Sequence, residues 1–224
     1  MKPRPTILFL ALACLLSRPA VAASLSAELL DEQGRPLPDG VLSLVAQGAS
    51  SQPGTGLMDQ RGKQFSPRVL AVRTGTEVSF PNSDDIRHHV YSFSPAKRFE
   101  LRLYKDTPSA PVLFDQPGVV VLGCNIHDWM VGYIYVTDHP WFAVSDAQGR
   151  LTIDGLPAGS YQVSLWHPRL ENMQALAAGT LQVPEQGLGR SFALPLAGPL
   201  ETAEPPGPSA FGEAFRKATR EVQP

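Results

Sequence analysis

Cysteine is nearly absent: the 224 residues contain two, Cys14 and Cys124. Lys2 and Arg4 precede an apolar run from Thr6 to Leu16, and Ala20-Val21-Ala22 is a small-x-small cleavage site. Residues 1–22 therefore read as a secretory signal, too short and wrongly flanked to span a bilayer. Lipid attachment at Cys14 is the alternative, but Ala11 stands where a lipobox usually has Leu. Cleavage after Ala22 removes Cys14 and leaves one thiol, so an intrachain disulfide is excluded in an oxidising compartment. No later apolar run is long enough to cross a membrane. An excess of basic charge is lacking too. Losing Lys2, Arg4 and Arg18 takes the 19 basic residues to 16 against 21 acidic ones, a formal charge of -5 for the mature chain. That balance gives no reason to expect nucleic acid or an anionic membrane as partner. The sequence also shows no Gly-rich phosphate loop, no triad arrangement, no Cys-x-x-x-Cys pair for a dinuclear copper centre and no Met- or His-rich tract.

Proline (22) and glycine (19) are plentiful, which argues against long helices and for short strands joined by turns. The chain reads as all-β. Residues 23–50 give two strands around the turn Asp31-Glu32-Gln33-Gly34-Arg35-Pro36, and 46–56 read as a small polar linker. From Met58, Glu77–Phe80 alternates as a half-buried strand should, His88–Phe93 is strand-like, Phe99–Tyr104 alternates cleanly, and Val119–Leu122 is a buried strand. Beyond Val136, Asp146–Gly149 turns into Leu151–Ile153, and Leu156–Ser160 turns into the alternating Tyr161–Trp166. Thr180–Val183 and Ser191–Leu194 are expected to pair at an edge. Residues 196–224 open with a Pro/Gly-rich linker and have the composition of a mobile tail, with a brief helix possible over Phe211–Val222.

The stretch Gly123–Val136 carries the chemistry. It places a thiol, an imidazole and a thioether at Cys124, His127 and Met130, on a short loop before an alternating strand. Thiolate and thioether suit copper(I), and a trigonal His₂Cys set with a weak axial Met is the signature of a blue-copper electron-transfer site. A buried structural thiol is the plainer account of Cys124, but it leaves His127 and Met130 unexplained. The second imidazole must come from elsewhere. A strand alternates its side chains, so only one of His88 and His89 can face the loop. Spacing alone does not say which.

Several separated motifs resemble the cupredoxins. Phe65-x-Pro67, Val72-x-x-Gly75-x-x-Val78-x-Phe80-x-Asn82-x-Asp84 and His88-x-Val90 are similar to the first half of a plastocyanin- or amicyanin-type domain. Cys124-x-x-His127-x-x-Met130-x-Gly132-x-Ile134-x-Val136 is similar to its last loop and strand. The resemblance covers residues 57–137 and implies a Greek-key β-sandwich binding one copper. The implied equatorial ligands are His88, Cys124 and His127, with Met130 axial. It also implies that His89 takes the place of an Asn that helps pin the two ligand loops together, and that Asp128 replaces a common Pro.

Residues 143–168 and 24–45 resemble the later and the first strands of a carboxypeptidase-regulatory or transthyretin-like β-sandwich. The expected organisation is thus signal peptide 1–22, first sandwich strands 23–50, a copper domain at 51–137 inserted into a loop of the sandwich, remaining sandwich strands 138–195, and tail 196–224. His139 and His167 could be further ligands but read better as strand-capping residues, and Met58 and Met173 as packing residues. Asp84 and Asp85 read as a solvated turn. The implied function is a periplasmic one-electron carrier, not an enzyme, working between redox protein partners with entry at His127. A copper carrier or buffer using the same ligands is the alternative.

Overall fold

The computed structural model describes residues 22–50, 52–108 and 110–198; the signal-peptide reading for 1–21 and the tail beyond 198 lie outside them. The described residues are built from seventeen strands and one 3-10 turn at Glu171–Met173. Among them no helix is long and apolar enough to cross a membrane.

Two sheets come from the two ends of the described chain. Strand β1 (Ala23–Asp31) lies between β14 (Arg150–Leu156) and β17 (Leu188–Leu194). Strand β2 (Val41–Val45) lies between β13 (Trp141–Val144) and β15 (Gly159–Trp166), with β16 (Leu176–Val183) outside β15. Period-2 alternation on β1 buries Ala23, Leu25, Ala27 and Leu29, and these pack with Leu42 and Leu44 of β2, Leu156 and Tyr161.

Two turns here share the pattern Asp-x-Gln-Gly-Arg and one hydrogen-bond arrangement. In Asp31-Glu32-Gln33-Gly34-Arg35, Asp31 Oδ1 accepts from the N–H groups of Gln33 and Arg35, both at 2.9 Å. In Asp146-Ala147-Gln148-Gly149-Arg150, Asp146 Oδ1 does the same with Gln148 and Arg150, again at 2.9 Å. Each needs a residue at positive φ four places in, which Gly34 (+75°) and Gly149 (+74°) supply.

Residues 55–137 form the other three sheets. A five-stranded sheet runs β6 (Val69–Arg73), β12 (Val131–Thr137), β11 (Gly118–Gly123), β8 (His88–Ser94), β9 (Lys97–Tyr104). A three-stranded sheet runs β10 (Val112–Phe114), β7 (Thr76–Ser79), β3 (Thr55–Leu57), and β4 (Asp59–Gln60) pairs with β5 (Phe65–Ser66). Their common core is Met58, Phe80, Val90, Phe114, Leu122, Cys124, Met130 and Ile134 with their neighbours. A third cluster joins the two units: Trp166 and Val41 pack with Val69 and Tyr135. Trp166 is fully buried, with its ring 5.2 Å from that of Tyr135 and 6.1 Å from that of Tyr133.

Four sequence expectations are corrected. The two N-terminal strands are not partners, because β1 and β2 lie in different sheets. Thr180–Val183 and Ser191–Leu194 do not pair either: β16 joins β15, and β17 runs parallel to β1. Gly187, at φ +82°, sits with its backbone so close to Ser24 that a Cβ would lie 2.7 Å from the Ser24 carbonyl, and this delivers the chain to the opposite sheet. The linker at 46–56 ends in strand β3, since Thr55–Leu57 pairs with β7. Val112–Phe114 and Trp141–Val144 are strands whose runs are too short to show a period.

Candidate metal centre

The site sits where β8 begins and β11 ends. Cys124 follows the last residue of β11, His127 lies in the turn beyond it, and Met130 precedes β12. The Met130 N–H donates to the His127 carbonyl at 2.9 Å, which closes the loop into a tight turn. Strands β11 and β12 are paired from Gly118↔Val136 to Gly123↔Val131, so the loop is short and held at both ends. Gly132 allows the closest approach behind it: a Cβ there would lie 2.8 Å from Phe65 Cβ.

His88, not His89, faces Cys124. His88 Nδ1 is 3.9 Å from Cys124 Sγ, and His127 Nδ1 is also 3.9 Å from it. The three donor atoms lie within 4.8 Å of one another, and no other such group occurs among the described residues. The imidazole rings are 5.0 Å apart. His88, Cys124 and Met130 are buried, while His127 is half-buried beside Ile126, which is 48% exposed. Met130 belongs to the same core cluster as Cys124.

The residues fit a soft metal ion. Metal–imidazole and metal–thiolate bonds of about 2.0–2.3 Å around a trigonal centre put nitrogen and sulfur about 3.8 Å apart, near the observed 3.9 Å. Both Nδ1 atoms are directed at the sulfur, and the thiol is excluded from water, so the donor set is two imidazoles and a thiol with a buried thioether close by. That set is the one soft transition metals select, copper above all.

A carboxylate stands behind the first histidine. His88 Nε2 donates to Asp84 Oδ2 at 2.7 Å. Since a carboxylate only accepts, Nε2 carries the ring proton and Nδ1 keeps its lone pair toward Cys124. Asp84 is itself held by the N–H groups of Gly62 (2.7 Å) and Lys63 (2.9 Å) at the tip of the β4–β5 hairpin. Burial pushes the Asp84 carboxyl up, but the Lys63 N–H, His88 and the Gly62 N–H outweigh it and hold the pKa below the ordinary value. Sequence reading treated Asp84 as part of a solvated turn. The signal that could have found it is its place four residues before His88, with Asn82 between two breaks in the strand pattern.

His127 is held below the ordinary imidazole pKa, first by burial and then by His88 and Lys63, with Asp84 acting against them. His89 does not pin the ligand loops. It points to the other face of β8, where its ring meets Tyr91 at 5.6 Å and its Nε2 lies 3.1 Å from Glu100 Oε1 without the alignment of a hydrogen bond. The tie is made by Asn82, whose Nδ2 donates to the carbonyls of Ile86 (2.9 Å) and Tyr104 (3.0 Å) and whose Oδ1 accepts from the Asp84 N–H (3.1 Å). The remaining sequence candidates are elsewhere. His139 Nδ1 meets Ser43 Oγ at 2.9 Å, and His167 Nε2 donates to the Pro38 carbonyl at 3.2 Å. Met58 is fully buried in the core, and Met173 is 37% exposed with its carbonyl accepting from the Trp166 indole.

No family model and no curated protein matches this chain by sequence. Among solved structures, it is similar to a purple cupredoxin from Nitrosopumilus maritimus, at 22% identity over 37% of this chain and 99% of that one, with a TM-score of 0.33. It is also similar to a reduced, Cu(I) amicyanin variant, at 22% identity over 42% of this chain and 86% of that one, TM-score 0.33. A copper-containing nitrite reductase from Thermus scotoductus matches at 25% identity over 50% of this chain but 28% of its own, TM-score 0.34. The chemistry of the site rests on its own side chains.

Proposed function

We propose that this protein is a type 1 copper protein that passes single electrons between redox partners. The observation that carries this reading is the convergence of His88 Nδ1, Cys124 Sγ and His127 Nδ1 within 4.8 Å in a buried loop. His88, Cys124 and His127 would hold the ion, with the Met130 thioether as the weak fourth donor. When bound, copper supplies a one-electron Cu(II)/Cu(I) couple at low reorganisation cost, tuned by the thiolate and its surroundings.

The chain's own residues do the rest. Asp84 fixes the His88 tautomer and orientation, as outer-shell carboxylates do for ligating imidazoles. The core around Cys124 and Met130 excludes water and restrains the donors from both sides. His127, with Ile126 exposed beside it, is where the site comes nearest the surface, so a small transient contact there suits turnover of partners.

We further infer that the copper unit, residues 51–137, is inserted into a loop of a β-sandwich made by 23–50 and 138–195. In support, β1 and β2 hydrogen-bond only with strands after residue 140 among the described strands. The signal-like N-terminus supports a periplasmic location. The central experiment is visible absorption and electron paramagnetic resonance of the mature protein with Cu(II), beside Cys124→Ser. An intense thiolate-to-copper band with narrow hyperfine splitting, lost in the variant, is the expected outcome. A tetragonal spectrum common to both proteins would sink the reading and leave a carrier without electron transfer.

A further inference from the structure

The outer face of the five-stranded sheet carries a feature that the donor cluster does not require. Phe93, near the end of β8, is 74% exposed, more than any other large apolar side chain among the described residues. Its ring lies 5.2 Å from that of Tyr91. Tyr91 in turn rests on β11: a Cβ on Gly123 would fall 2.8 Å from both Tyr91 Cζ and Oη, so only glycine leaves room for the ring. Gly123 is the residue before Cys124. Tyr91, Phe93, Val121 and Val131 line a cleft of about 380 Å³ together with Cys124 and Asp128. Neither Ile126 nor His127 lines it. The surface therefore comes within one residue of the thiol by way of β8, apart from the turn that carries His127.

The rim of this cleft has its own charge. Strand β9 closes the edge of the sheet and places Arg98 opposite Phe93 and Glu100 opposite Tyr91. It carries Lys97, Arg98 and Arg102 against the single acid Glu100. Glu100 is already engaged, with Oε2 3.3 Å from Arg102 Nε and Oε1 3.1 Å from His89 Nε2. Lys97 Nζ is 3.3 Å from Asp115 Oδ1. Arg98 is exposed beside Phe93 and makes no ion pair among the described residues. Asp128 is the one acid in the cleft lining. Residues 23–224 hold 16 basic against 21 acidic residues, so a cationic strand edge is a local departure from the charge of the chain. An exposed aromatic over an apolar hollow, with arginine beside it, is the composition that interface centres favour. Positive charge around it steers an acidic partner and repels a basic one.

We propose that this face, centred on Phe93 and Arg98, is a docking surface for an acidic redox protein, separate from the His127 edge. The nature of the partner rests on the copper reading: one electron leaves one centre and enters the other, with no proton moved and no bond formed or broken. Tyr91 is a positioning residue that backs the Phe93 ring and ties it to the strand ending at Cys124.

The test is a nuclear magnetic resonance titration of the isotope-labelled, metal-free protein with two oxidised haem proteins as probes. Cytochrome b5 is acidic and cytochrome c is basic. With cytochrome b5, the amides of β8 and β9 around Phe93 and Arg98 are expected to shift, and with cytochrome c they are expected to stay in place. Arg98→Glu should raise the Kd for cytochrome b5 about tenfold and Phe93→Ala about fivefold, with Arg98→Gln in between. Both side chains are exposed, and an unchanged Tm shows that each variant keeps its fold. Absence of binding overturns the proposal, as does a footprint confined to the turn of Ile126 and His127, an equal footprint from cytochrome c, or a Kd that Arg98→Glu leaves unchanged. The titration needs no metal, so its failure is distinct from failure of the absorption and resonance experiment that tests the copper reading.

Discussion

Asp84 Oδ2 accepts the Nε2 proton of His88 at 2.7 Å, and the same carboxylate is gripped by two backbone N–H groups of the β4–β5 hairpin. A fixed anion thus sits one imidazole away from the donor cluster. It makes His88 a better donor and favours the more positive oxidation state of any ion held there.

Asp84→Asn keeps an acceptor in place but removes the charge. With copper bound, the reduction potential is expected to rise by on the order of 50–100 mV, since a unit charge several ångströms away in a partly screened site acts on that scale. Protein-film voltammetry of both proteins checks it. An unchanged potential would show that Asp84 only braces the ring.

Gly132→Ala tests the rigid support behind the ligand loop. Its new Cβ would fall 2.8 Å from Phe65 Cβ and 2.9 Å from Cγ, in a side chain that is itself buried. Overpacking of this kind costs about 1–3 kcal/mol. Urea unfolding of the metal-free protein should show that loss, and the copper spectrum should shift as β12 moves relative to Met130.

His167 makes stability depend on pH. Buried and donating Nε2–H to Pro38, it takes up a proton only near pH 4, whereas in the unfolded chain it does so near 6.5. Between those values the unfolded state binds the extra proton, so stability is full above about pH 6.5 and falls as pH drops toward 4. The loss over the whole window is about 3 kcal/mol. Denaturant curves at pH 7.5 and 5 should show it, and His167→Gln should flatten the slope.

Trp166→Ala probes the seam. The ring is fully buried against Tyr133 and Tyr135 of the other unit. Its removal is expected to cost about 3–5 kcal/mol. Calorimetry should then resolve two transitions where the parent protein gives one; a single transition at lower temperature would mean the units remain coupled through other contacts.

The legible parts of the sequence were those with a strong local pattern. Cys124, His127 and Met130 share one loop, so their spacing alone brings them together. The alternating β7, β9 and β15 segments announce themselves by period. What stayed hidden depends on distant partners. β10 and β13 are too short to carry a period and are strands only because β7 and β2 supply hydrogen bonds. The choice between His88 and His89 follows from which face of β8 turns to the core, which alternation allows but does not fix. Asp84 looked like a turn residue because its partners, Gly62 and Lys63, arrive from a hairpin more than twenty residues earlier.

The pairing of Leu44 with Trp141 has a consequence for the order of events during folding. The two partners are 141 − 44 = 97 positions apart, and the whole of the 55–137 unit lies between them. For an unstructured chain, closing so long a loop is entropically unfavourable and slow. Once the intervening unit has collapsed, the gap shrinks to two short connectors, and β2 meets β13 as a near neighbour. The 55–137 unit is therefore expected to fold first and to bring β2 and β13 together: pulsed hydrogen exchange should protect the amides of β11 and β12 before those of β2, and mutations that slow the inner strands should delay the outer ones.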